Sequence, residues 1–160
     1  MRIAWLLFVT CWGTFAGHHA AAQSPFQPSQ HEKLDIQARC AAQAEKAFNQ
    51  WKSEGKKEGK EYPGYKVVSA EYQSHYNAGR NRCFIAVRTN GENGATTKWL
   101  ADAYENRLFA FYFWMPDPSG VREYSQTPPT KCELTPSAAE KRICSSEREY
   151  DDFVASYMEE

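Results

Sequence analysis

The sequence predicts an α+β fold: a long N-terminal helix packed on a four- to five-stranded antiparallel meander, closed by a C-terminal amphipathic helix. Three observations predict it. Apolar residues recur at three- and four-residue steps over 31–54, which marks one helical face. Residues 65–115 then turn rich in Val, Tyr and Phe and are cut into short runs by Asn- and Gly-containing turns. Helical spacing returns at the end of the chain.

The first element is an address rather than a part of the fold. Met1-Arg2 precedes a largely apolar run over Ile3–Phe15, then Gly17-His18-His19 and Ala20-Ala21-Ala22. A charged start, a short apolar core and small residues at the end form the signal-peptide pattern. The run is shorter than the ~20 residues that a membrane-spanning helix needs. Residues 1–22 are therefore expected to be removed after Ala22. Residues 23–30 (Gln-Ser-Pro-Phe-Gln-Pro-Ser-Gln) read as a flexible mature N-terminus, and 31–160 as a single disulfide-stapled domain.

In the first helix, Leu34, Ala38, Ala41, Ala44, Phe48 and Trp51 form the expected apolar stripe, with Cys40 on its flank. The Gly-, Lys- and Glu-rich run over 55–64 ends that helix as a solvated loop. Strands are expected at 65–76, 80–89, 95–104 and 107–115. Asn77-Ala78-Gly79, the Asn90–Gly94 segment and Glu105-Asn106 mark the turns between them. Connections this short favour antiparallel neighbours. On the second strand Cys83, Ile85 and Val87 share a face. The fourth, Leu108–Met115, is apolar at every position, as strands covered on both faces are. One helix covers one face, so a second layer is implied, and the tail is its source. Val121–Ser125 is suited to an edge strand. Ser137-x-x-Glu140 and Ser146-x-x-Glu149 both read as helix starts. After the second, Tyr150, Phe153, Val154, Tyr157 and Met158 form an amphipathic face.

Charge and cysteines bound the function. There are 19 basic and 20 acidic residues. One of the basic residues, Arg2, falls in the leader. A chain so balanced has no global pull on nucleic acid or anionic lipid. The terminal helix is acidic on its polar side, which disfavours lying on anionic membranes. Four of the five cysteines follow the leader: Cys40, Cys83, Cys132 and Cys144. An even number in an oxidising compartment implies disulfides. Of the three possible pairings, Cys40–Cys83 with Cys132–Cys144 is favoured. Paired cysteines are not nucleophiles, and no metal-ligand spacing is present. No cofactor is expected.

His75-Tyr76-Asn77, Arg82-Cys83-Phe84, Leu100–Glu105, Ala110–Trp114, Cys132, Cys144-Ser145-Ser146 and the ending Glu149–Phe153 with Tyr157–Glu159 form a set. It resembles a group of short exported bacterial proteins of unknown function over about 38 to 159. The resemblance implies export and paired cysteines, and no activity. In outline the helix-on-meander frame also resembles cystatin-like and NTF2-like shapes, a likeness of fold that carries no function.

In an up-and-down meander the first and third hairpins lie at the same end of the sheet. His75, Asn77, Arg80, Arg82, Asp102, Glu105 and Arg107 gather there as the candidate binding site. A symmetric five-residue loop at 90–94 sets Arg82 opposite Asp102, where they pair. A two-residue Asn90-Gly91 turn instead sends them to opposite faces. His75 is the best single candidate for acid–base chemistry. It lacks a nucleophile, because Ser74 points to the other face of the strand, and no G-x-S-x-G or H-E-x-x-H is present. The aromatic residues of the strands serve a core before they serve a ligand pocket. The leading expectation is a non-catalytic exported module that binds a protein or envelope component. It binds no nucleic acid and makes no stable membrane insertion once the leader is gone. The alternatives are a secreted inhibitor of a protease or lysozyme, presenting Asn90–Gly94 or Met115–Gly120, and, behind it, a hydrolase using His75 and Asp102.

Overall fold

The computed structural model describes residues 29–58, 66–116 and 128–159. The leader and its cleavage site, most of the 23–30 segment and the edge strand expected at 121–125 lie outside these residues. The described elements are α1 (Gln30–Glu58), β1 (Val67–Asn77), β2 (Arg82–Gly91), β3 (Thr96–Asp102), β4 (Leu108–Trp114), β5 (Lys131–Ser137), β6 (Glu140–Ile143) and α2 (Glu147–Met158). The strands form one antiparallel sheet in the order β1-β2-β3-β4-β5-β6.

The α+β meander between two helices is as expected, but it has six strands rather than four or five. The extra hairpin forms where Ser137-x-x-Glu140 reads as a helix start. Ser137 instead pairs with Glu140 across a turn made by Ala138 and Ala139. A helix over 137–143 would have no apolar stripe to bury. A strand with period-two alternation sends Cys132 and Leu134 into the core. α1 also runs past Gly55 to Glu58 rather than stopping at the glycine.

The sheet is covered on both sides, and strand parity sorts its residues. Cys83, Ile85 and Val87 of β2 pack with Cys40, Ala44 and Phe48 of α1. Phe84 of β2, Leu100 of β3, Tyr112 of β4 and Leu134 of β5 pack with Tyr150, Phe153 and Tyr157 of α2. The second layer implied by β4 is thus α2, and each helix lies on its own face. The line that α1 buries differs from the expected stripe. Leu34 is 59% exposed and Ala38 and Ala41 are exposed, whereas Ile36, Cys40, Ala44 and Phe48, four apart, face the sheet. Cys40 is at the centre of that line and not on its flank.

Both disulfides pair as favoured. Cys40–Cys83 ties α1 to β2 with Cα atoms 5.4 Å apart. Cys132–Cys144 ties β5 to the segment entering α2, at 5.1 Å. Chain-entropy reasoning assigns about 4 kcal/mol to the first loop and about 3 kcal/mol to the second.

No described helix is long and apolar enough to cross a membrane.

Candidate functional site

The hairpin turns at 77–82 and 102–107 meet at one end of the sheet, as expected. Two further parts arrive there that the sequence reading did not place. One is the β5–β6 turn; the other is the C-terminus of α2.

Asn77 builds the first turn. It is buried, and its Nδ2 donates to the carbonyls of Tyr157 (3.2 Å) and Glu159 (3.1 Å) at the end of α2. Its Oδ1 accepts the Arg80 N–H at 2.9 Å. Asn81 closes the turn with φ 49°, a left-handed backbone that asparagine tolerates. Asp102 builds the second turn. It is also buried, and its Oδ1 accepts the N–H groups of Tyr104 (2.8 Å) and Glu105 (2.9 Å). The turn is closed by Asp102 N–H donating to the Arg107 carbonyl at 2.9 Å.

Arg82 links the two turns. Its guanidinium pairs with Asp102 Oδ2 at 2.9 Å and with Glu105 Oε2 at 2.8 Å. The hydrogen bonds to Glu105 and then Asp102 raise its already high pKa, so it stays charged. The pair forms, although the two residues are not directly opposite. Phe84 faces Asp102, and Arg82 reaches across the diagonal. The loop closes between Gly91 and Ala95. That shifts the register by two from the symmetric expectation and leaves its parity intact.

His75 does not join this group. It pairs with Phe84, which in turn pairs with Asp102. Two strand spacings of ~4.8 Å separate His75 from Asp102, with the Phe84 ring between. Its Nε2 is sealed from solvent without a hydrogen-bond partner among the described residues. Asp102 already spends both oxygens on the turn and on Arg82. The two therefore do not form an acid–base pair, contrary to what the hydrolase alternative requires.

Two clefts open at this end. The one on the α1 face lies between Arg39, Tyr76, Arg82, Tyr104 and Glu105, above the buried Cys40–Cys83 bond. The one on the α2 face is lined by Arg80, Arg82, Arg107, Phe84, Phe109 and Tyr157, with the β5–β6 turn as its far wall. Arg80 stands over the Tyr157 ring at 4.1 Å and Arg107 over the Phe109 ring at 4.8 Å. Those two rings are 5.3 Å apart.

At the other end of the sheet the 90–94 loop is held by Gly91 N–H to Ala95 O (2.8 Å) and Glu92 N–H to Lys66 O (2.9 Å). Its tip residues Glu92, Asn93 and Gly94 are exposed. The other loop considered for an inhibitor, Met115–Gly120, lies outside the described residues beyond Pro116. Among the described residues no group of His, Cys, Asp and Glu could hold a metal ion.

Fold and site together define a disulfide-tied, three-layer α+β domain with an arginine- and aromatic-lined end. No protein-family model matches the chain, and neither the curated proteins nor the solved structures contain a match to it.

Proposed function

We propose that this protein is an exported, non-catalytic binding module that engages a protein or envelope component through the end of the sheet formed by the 77–82 and 102–107 turns. One observation carries the reading. The buried side chains Asn77 and Asp102 spend their hydrogen bonds on holding these turns, while Arg80, Tyr104 and Glu105 are left exposed on them. Rigid turns with outward polar and aromatic groups lose little freedom on binding. Two disulfides fit an oxidising compartment. The leader-like N-terminus and the likeness to short exported bacterial proteins point the same way, to the periplasm or the exterior.

The test is capture from periplasmic extract by the tagged full-length protein, processed by its host. Charge reversal at the proposed end (Arg80→Glu with Glu105→Lys) should abolish capture of the partner, and Glu92→Lys at the far end should not. The opposite pattern would move the binding surface to the 90–94 loop. That loop, braced at its base, supports the second reading, an inhibitor of a secreted hydrolase. Loss of protease or lysozyme activity on stoichiometric addition, restored by Glu92→Lys, would establish it instead.

A further inference from the structure

We infer that the cleft on the α2 face is a receptor for an oxyanion, a carboxylate or phosphate group, carried on an apolar or aromatic body. This rests on the proposed binding role of the same end and names the chemistry that it recognises.

The inference begins with charge. The chain as a whole is slightly acidic, with a formal net charge of −1. Three arginines nevertheless line this one cleft, and no carboxylate does. Arg82 is neutralised by Asp102 and Glu105. Arg80 and Arg107 are not. Among the described residues neither guanidinium has a carboxylate partner or a side-chain hydrogen bond. Among the described residues the aromatic rings they lie over are those of Tyr157 and Phe109. A ring face attracts the cation and restrains it without supplying an acceptor for its N–H groups. Two guanidinium groups are thus held over adjacent rings with their donors unspent. A planar guanidinium fork matches carboxylate and phosphate oxygens, in geometry as well as in charge.

The backbone beneath them is fixed. Arg80 sits in the turn pinned by Asn77, and Arg107 closes the turn pinned by Asp102. Both arginines are therefore placed before any ligand arrives, which lowers the cost of ordering them. The rest of the lining selects for more than a bare ion. Phe84, Phe109 and Tyr157 form an apolar floor, and Pro136 and Ala138 an apolar wall. The cleft holds about 380 Å³, enough for a ring-sized body.

The probes are phenyl phosphate and phenylacetate, with the neutral phenylacetamide as control. They are titrated into the intact, oxidised protein and followed by NMR. Saturable shifts at Arg80, Arg107, Phe109 and Tyr157 are expected with either anion, and weaker binding as salt rises. Preference for phenyl phosphate assigns a phosphate, and preference for phenylacetate a carboxylate. Arg80→Gln with Arg107→Gln should weaken binding by about tenfold or more. Arg107→Lys, which keeps the charge and loses the fork, should give an intermediate loss. Phenylacetamide binding as tightly as the anions would overturn the inference, as would unchanged affinity in a double variant that keeps both disulfides and its thermal midpoint. If no anion binds while charge reversal still abolishes partner capture, the oxyanion inference falls and the binding module stands. Anion binding with capture unaffected by the charge reversal overturns this end as the partner-binding surface and leaves the oxyanion inference standing.

Discussion

Single residues at the turns do structural work that their position in the sequence half reveals. Asp102 accepts from two turn N–H groups and from Arg82 while itself buried. Asp102→Ala leaves those donors without their acceptor and should cost about 2–3 kcal/mol in chemical denaturation. Arg82→Gln, which removes a partly exposed cation, should cost clearly less. Equal losses for the two would mean that the ion pair, and not the turn, is the role of Asp102. A pH effect belongs at this scale too. Lys141 donates to Glu133 at 3.0 Å, and with Lys131 nearby it holds that carboxyl below its ordinary 4.5. A lowered folded-state pKa contributes stability above the unfolded value and loses it as pH falls. The gap between the parent and Glu133→Gln should be under about 1 kcal/mol for a half-buried carboxylate paired with an exposed lysine. It should be present above about pH 4.5 and close as pH falls through the folded pKa, in denaturation series across that range. A gap that widens in acid would refute the assignment.

At the level of elements, α2 was the most legible and the β5–β6 hairpin the least, with α1 legible as a helix but not in the face it buries. Ser146 caps α2 by accepting the Glu149 N–H at 3.2 Å, and the Glu149 carboxylate reaches back to the Ser145 N–H at 2.9 Å. Ser146→Ala should cost about 1 kcal/mol. Phe153→Ala, which empties a site between α2 and the sheet, should cost about 3–5 kcal/mol by the same denaturation measurement. Near-neutral behaviour of Phe153→Ala would deny that α2 covers this face. In α1 the alanines blurred the stripe, because alanine is at ease on either side of a helix. Packing against β1 and β2 selected the line through Ile36, Cys40, Ala44 and Phe48. The start of α1 carried an unread signal, Ser29-x-x-Glu32, whose two residues cap each other at 2.7 and 3.3 Å. The β5–β6 hairpin was missed for the opposite reason. Ser137-x-x-Glu140 has the residues of a capping box without an apolar run to follow, and pairing across Ala138-Ala139 outcompeted it.

For the whole molecule, the disulfides connect layers. Cys40–Cys83 fastens α1 to the sheet, and Cys132–Cys144 fastens the last hairpin to the entry of α2. Replacing Cys40 and Cys83 by alanine should lower stability by about 4 kcal/mol, and replacing Cys132 and Cys144 by about 3 kcal/mol. Non-reducing peptide mapping checks the pairing directly; a Cys40–Cys132 or Cys40–Cys144 peptide would refute it. Export is checked by N-terminal sequencing of the processed protein, expected to begin at Gln23. An uncleaved Met1 would remove the strongest support for the compartment.

Local pattern alone determined the α+β class, the antiparallel meander, the terminal helix, the two-sided coverage of β4 and the gathering of the 77–82 and 102–107 turns. Each follows from periodicity and turn chemistry, which act over a few residues. The tertiary structure decided what depends on register and on which face meets which. It set the diagonal reach of Arg82 to Asp102 and placed Phe84 between His75 and Asp102. It also brought Tyr157 and Phe109 under Arg80 and Arg107. These outcomes turn on loop length and on contacts between residues far apart in the chain, where one step of register sends every side chain to the other face.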